Sequence, residues 1–154
     1  MVGKAPNMSI QPSVRNADMP PATDYDAIAA VIQLYIDGLN EADADKLRAC
    51  FHKNAWAAWT EEDGSLVQHP VQEVLDDWTR ESMPEGGWTH RILAVTQAGD
   101  VASVLLEMHT AEDSPGMGWV DIHALLRIDG VWKDMNKTAT HVSRAGWANT
   151  AGGW

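Results

Sequence analysis

The sequence predicts an α+β fold in which a curved antiparallel sheet wraps around a long N-terminal helix, making a cone with an internal pocket. Three observations carry this expectation. Apolar residues recur with a helical period over 28–39 and again over 71–78. The period changes from 3.6 to 2 after Gly86-Gly87. From residue 88 to 142 the chain is a series of strand-length runs separated by turn sequences, of which Asp129-Gly130 is a strong two-residue hairpin signal. Helices and strands that segregate along a chain indicate α+β, and 154 residues suit one domain.

Each element has its own justification. Residues 1–23 carry Pro6, Pro12, Pro20 and Pro21 without periodicity and read as a disordered tail, because such a segment buries too little apolar surface to offset its ordering entropy. The first helix follows from Ile28, Val31, Ile32, Tyr35, Ile36 and Leu39, one face at i, i+3, i+4, i+7, i+8 and i+11. Thr23 and Asp26 have capping-box spacing, and Gly38 and Asn40 weaken the helix end. A short second helix fits 43–50, with Ala44, Leu47 and Phe51 inward. Residues 55–60 read as a strand ending in the turn Glu62-Asp63-Gly64. A third helix fits 70–83, with Pro70 in its first turn, a stripe of Val71, Val74, Leu75 and Trp78, and Pro84 as its stop. Strands fit 88–97, 101–111, 118–128 and 131–142, divided by Ala98-Gly99-Asp100, Asp113-Ser114-Pro115-Gly116 and Asp129-Gly130. The cone domain thus spans 24–142, and 143–154 form a second tail.

Composition excludes several function classes. Twenty-two acidic against 11 basic residues give a net charge of −11, which disfavours nucleic acid and anionic membranes as partners. Cys50 is the only cysteine, so there is no intrachain disulfide and no multi-cysteine metal site. No apolar run reaches the ~20 residues that span a bilayer, and no secretory signal core is present; the expectation is a soluble, cytoplasmic protein. The glycines form no phosphate-cradling loop, and no cofactor is expected.

The turns set an expected register. With Gly99 and Asp100 as turn residues, Val95 faces Val104, Leu93 faces Leu106 and Arg91 faces Met108. A hairpin centred near Pro115 pairs Met108 with Ile122 and Leu106 with Ala124. A two-residue turn at 129–130 pairs Ala124 with Met135 and Ile122 with Lys137. Directly opposed residues share a face, so one apolar face carries two cations, Arg91 and Lys137, near Tyr35 of the first helix. Such a hollow is the default small-molecule site, with Trp59 and Trp78 as flat walls and Met108, Ala124 and Met135 completing the lining. Arg91 is suited to hold a carboxylate or enolate. A lysine amine removed from water loses its proton more readily and can serve as general base or Schiff-base amine; Lys137 is the candidate. Tyr35 can donate to a developing oxyanion. The plainer alternative is that both cations snorkel from the core rim to water.

The expected opposite face is polar: His90, Ile92, Glu107, His109, Asp121, His123 and Asn136. His90, His109 and Asp121 would form a row able to bind iron or zinc. The preferred alternative is a polar face buried in a homodimer, with cross-strand pairs Glu107–His123 and His109–Asp121, since no local metal signature accompanies the row. Of eight tryptophans, Trp56, Trp59, Trp78, Trp88, Trp119 and Trp132 fall within the predicted fold, as core or interface.

A resemblance adds to this reading. Tyr35-Ile36-Asp37-Gly38-Leu39, then Asp43 and Phe51-His52, resemble the first two helices of the nuclear transport factor 2-like superfamily, which includes ketosteroid isomerases and SnoaL-like polyketide cyclases. His90-Arg91-Ile92-Leu93, Gly99-Asp100-Val101-Ala102 and Ile128-Asp129-Gly130-Val131-Trp132-Lys133 are most similar to its "putative lumazine-binding" branch. The resemblance implies a cone fold and a frequent homodimer through the sheet face. It also implies an oxyanion-donating role for Tyr35. The two acids of the isomerases would fall near Trp59 and Ala124 and are absent here. The combined expectation is a cofactor-independent isomerase, lyase or dehydratase acting on a small hydrophobic or aromatic molecule. The alternatives are a non-catalytic module that binds a small ligand or protein, and a metal-dependent enzyme using the His90/His109/Asp121 row.

Overall fold

The computed structural model describes residues 22–81, 86–110 and 117–143. Residues 1–21 and 144–154 of the two tails, Pro84 and the turn around Pro115 lie outside the described residues, as does the Thr23 side chain of the expected capping box, while 22–23 belong to the first helix and 143 to the last strand. Helix α1 spans Ala22–Asn40 and buries the whole stripe from Ile28 to Leu39. It ends against α2, Ala44–Cys50. Gly38 permits that approach: a Cβ there would lie 2.6 Å from Leu47 Cδ2. Asp43 caps α2, its carboxylate accepting from the backbone N–H of Asp45 at 2.9 Å and of Lys46 at 3.2 Å.

Strand β1, Phe51–Thr60, starts directly at the end of α2 and turns at Gly64 into β2, Leu66–Pro70. Helix α3 follows at Val71–Glu81. Strands β3 (Trp88–Ala98), β4 (Val101–Thr110), β5 (Met117–Ile128) and β6 (Val131–Ser143) form the antiparallel meander. The six strands are ordered β2-β1-β6-β5-β4-β3. The sheet is not wholly antiparallel, because β1 runs parallel to β6. Strand β2 carried no sequence signal: it is a five-residue edge strand without a fully buried residue, closed by proline. Asn40, at the end of α1, accepts from the Trp88 N–H at 2.7 Å and donates to its carbonyl at 3.0 Å. That clamp fixes the first residue of β3 over the helix.

Three departures from the expected register decide which side chains enter the cone. The pair Val95↔Val104 holds, but Leu93 is an extra residue between Ile92↔Leu106 and Ala94↔Leu105. This bulge reverses parity, so Arg91 pairs with Glu107 and not Met108. Across β4 and β5 the pairs are Met108↔Trp119, Leu106↔Asp121 and Val104↔His123. This is an odd-numbered slip from the expected register, which exchanges the faces. Trp119, Asp121, His123 and Leu125 therefore point inward, while Ile122, Ala124 and Leu126 are exposed. A second bulge makes Met135 the extra residue between Ala124↔Asn136 and Leu125↔Asp134. Positions 134 and 137 would face opposite sides of a regular strand; with the extra residue both are buried inside. The core closes over this face with Val104, Leu106, Met108 and Leu125 against the stripe of α1.

Candidate functional site

Tyr35, Leu39, Trp59, Trp78, Trp88, Met108, Trp119 and Lys137 line a half-open cavity of about 170 Å³. Helix α1 supplies Tyr35 and Leu39, α3 supplies Trp78, and the strands supply the rest. Lys137 is the one charged side chain in that wall among the described residues. Its Nζ lies 5.0 Å from the Trp78 ring centroid, 5.8 Å from Tyr35 and 5.9 Å from Trp119. Aromatic faces attract a cation at this range.

Behind the wall lies a buried string of ionisable groups. Lys137 Nζ is 3.4 Å from Asp121 Oδ2, and that oxygen is 3.6 Å from His123 Nε2. On the far side, His123 Nδ1 meets Asp134 Oδ2 at 2.5 Å. Tyr35 donates its hydroxyl to Asp121 Oδ2 at 3.2 Å. Asp121, His123 and Asp134 are wholly buried, and Lys137 is 8% exposed. Such charges persist out of water only when paired, and two carboxylates here face an ammonium and an imidazole.

The electrostatics follow from those contacts. Burial alone would drive His123 toward its neutral form, but the Asp134 and Asp121 carboxylates on either side outweigh burial and raise its pKa to about 9. Burial pushes Asp121 up, yet the Lys137 and His123 charges and the Tyr35 hydroxyl hold it below the ordinary carboxylate range. Asp134 is raised, since its burial exceeds the help it gets from His123. Tyr35 is pushed well up, by burial first and the Asp121 charge second, so it keeps its proton.

A family profile described as "Putative lumazine-binding" matches residues 23–139. The chain belongs to this family. No curated protein matches. The fold is shared with solved structures. A nuclear transport factor 2-like protein of unknown function from Shewanella baltica has a TM-score of 0.70 at 24% identity, over 81% of this chain and 98% of that one. Another, from Methylobacillus flagellatus, has a TM-score of 0.69 at 25% identity, over 80% and 96%. A ketosteroid isomerase-like protein from Erwinia carotovora has a TM-score of 0.62 at 14% identity, over 80% and 99%. The chain therefore has the nuclear transport factor 2-like α+β cone.

In this lumazine-binding family member the structure brings together only part of the residue set singled out from sequence. Tyr35, Trp59, Trp78, Met108 and Lys137 meet at one cavity. Arg91 does not join them: it lies on the outer face, 65% exposed at its side chain and 2.7 Å from Glu107, because of the bulge at Leu93. Ala124 is exposed on that same face, and Met135 is the bulge residue, outside the cavity wall. The hydroxyl proton assigned to a developing oxyanion is given by Tyr35 to Asp121 instead. The row of His90, His109 and Asp121 is broken, since His90 pairs with Met108, His109 with Gly118, and Asp121 is turned into the core. No group of three His, Cys, Asp or Glu among the described residues is placed to hold a metal. The expected pairs Glu107–His123 and His109–Asp121 are replaced by Glu107↔Val120 and Leu106↔Asp121. Sequence reasoning missed Trp88 and Trp119 as walls, and the inward Asp121, His123 and Asp134. The available signal was parity: Trp119, Asp121 and His123 alternate along β5, so one inward member implies the others.

Proposed function

We propose that the cone binds a small flat ring molecule carrying an anionic oxygen and acts on it by proton transfer without a cofactor. One observation carries this reading: a single buried ammonium, Lys137, stands in a wall that is otherwise aromatic and apolar. Four indole rings favour a planar ligand by stacking. A closed cavity of about 150 Å³ holds a benzene ring, so this half-open one suits one or two fused rings with substituents toward the mouth. A flat bicyclic dione such as the lumazine of the family's description has that shape.

Lys137 is ion-paired with Asp121 at 3.4 Å, and its ammonium has three N–H donors with which to meet the ligand oxygen. In the catalytic reading it gives a proton to the enolate or carbanion next to that oxygen and takes one back, the step shared by isomerases, lyases and dehydratases. The second reading, a binding module without turnover, is favoured by the Tyr35 proton being committed to Asp121 and by a cavity wall without a carboxylate among the described residues. The chain is further proposed to pair with a second copy through its outer sheet face.

Quenching of tryptophan fluorescence by aromatic carboxylates, cyclic enols and lumazine tests the binding. Lys137→Met is expected to weaken an anionic ligand about 10- to 100-fold, the loss of a charge-assisted hydrogen bond, while neutral analogues change little. Equal binding of anion and neutral analogue by the wild type would remove Lys137 from the site. Exchange of ligand carbon-bound hydrogen for deuterium, followed by NMR, separates turnover from binding alone.

A further inference from the structure

The cavity holds one end of a closed electrostatic string. Starting from the wall, Lys137, Asp121, His123 and Asp134 alternate in sign at contacts of 3.4, 3.6 and 2.5 Å. With His123 as imidazolium the four charges cancel, as a dry interior requires. An anion bound on Lys137 adds a fifth charge, and the string then carries one excess negative charge away from water.

We propose that an anionic ligand enters this site together with one proton, and that Asp134, at the closed end of the string, takes that proton. The inference rests on the reading of Lys137 as the ligand's contact.

The geometry supplies the path. Once the ligand competes for Lys137, Asp121 needs another cation, and His123 is next to it. His123 Nε2 has no hydrogen-bond partner among the described residues, and neither has Asp121 Oδ1. Nε2 already lies 3.6 Å from Asp121 Oδ2, so a small shift closes that contact into a hydrogen bond. His123 then shares its one positive charge between two carboxylates, through Nε2 to Asp121 and Nδ1 to Asp134, and the other hydrogen bond Asp134 accepts is from the Asn136 backbone N–H at 3.2 Å. Two buried carboxylates that share one counter-charge cannot both stay ionised out of water; the proton comes from solvent and forms an O–H bond on Asp134. The burial that already raises Asp134 makes it the easier acid of the two to protonate.

The other groups facing the string do not compete for this role. Helix α1 presents Tyr35, which keeps its own proton, and α2 ends at Cys50, whose buried thiol is raised well above its ordinary value. Strand β1 contributes Phe51 and α3 contributes Trp78, neither of which titrates.

Calorimetry with benzoate as probe, at neutral pH and in two buffers of different ionisation enthalpy, reads the proton directly. Benzoate is itself fully ionised there, so about one proton taken up per benzoate bound is expected from the protein, with affinity falling about tenfold per pH unit. Benzamide should bring none. Asp134→Asn should retain benzoate binding with the uptake lost and the affinity flat with pH; uptake undiminished in that variant overturns the assignment to Asp134. Benzoate binding that depends on Lys137 but moves no proton in the wild type overturns this inference alone. Failure of benzoate to bind, or binding indifferent to Lys137→Met, overturns the reading of the site and this inference with it.

Discussion

His123 is the residue at which burial and charge oppose each other most directly. It sits between two carboxylates, with its ring 5.0 Å from Tyr35 and 6.5 Å from Phe51. Its folded pKa of about 9 lies above the ordinary 6.5. A raised cationic pKa stabilises the fold fully below the unfolded value and loses that contribution as pH rises through the folded one. Denaturant midpoints should therefore decline between about pH 6.5 and 9, and His123→Gln should be less stable than wild type at pH 6 but lose little more on going to pH 10. An unchanged wild-type midpoint across that window would show His123 to be neutral. Residue-scale reading of β5 failed for an identifiable reason. Val120, Ile122, Ala124 and Leu126 are more apolar than Trp119, Asp121, His123 and Leu125, so hydrophobicity alone assigns the wrong set to the core. The polar set is inside because Tyr35, Lys137 and Asp134 supply its partners, and none of these is near it in sequence. Local rules fail in this manner where a site overrides the packing pattern.

Among the elements, extra residues in strands decide the chemistry. Met135 turns both Asp134 and Lys137 inward, and Leu93 turns Arg91 outward. A bulge has no composition of its own here, since both extra residues are apolar and sit inside ordinary strand sequence. Arg91→Ala should leave ligand binding unchanged but cost more than the ~1 kcal/mol of a surface pair, because Glu107 is only 7% exposed and loses its counter-charge; a loss of ligand affinity would put Arg91 back in the site. Helix α1 meets α2 at Gly38, where a Cβ would overlap Leu47. Gly38→Ala should destabilise by about 1–3 kcal/mol through overpacking, visible as a lower Tm, and a neutral effect would mean that Leu47 can move aside. Helix assignment itself was legible, because the 3.6-residue stripes of α1 and α3 are local. Strand β2 was not, because an exposed five-residue edge has neither period nor burial to announce it.

On the scale of the whole molecule, the outer face of β5 exposes a row of apolar side chains on the side away from the cavity. Ile122 is 50% and Leu126 37% exposed on β5, with Ala124 between them. Contiguous apolar surface on an open sheet face marks an interaction site. The expected occupant is a second copy of the chain, and analytical ultracentrifugation should show a dimer that Ile122→Lys converts to monomer. A wild-type monomer at high concentration would sink that expectation. At this scale the helix layer is also tied to the sheet by charge: Arg127 meets Asp24 of α1 at 3.0 Å and Asp100 of the β3–β4 turn at 2.7 Å. The clamp keeps α1 across the concave face, where Tyr35 reaches Asp121.

What the chain determined by itself was everything set by neighbours within a few residues: three helices, the four-strand meander, its two-residue turns and the α+β class. It also marked Tyr35, Trp59, Trp78, Met108 and Lys137 as residues of one hollow. Tertiary structure alone decided which faces of β3 and β5 are inside, the parallel seat of β1 on β6, and the buried string from Lys137 to Asp134. Periodicity records how a side chain alternates with the next one. The absolute face, by contrast, depends on bulges and on the register across the β4–β5 turn, and partners far along the chain select both.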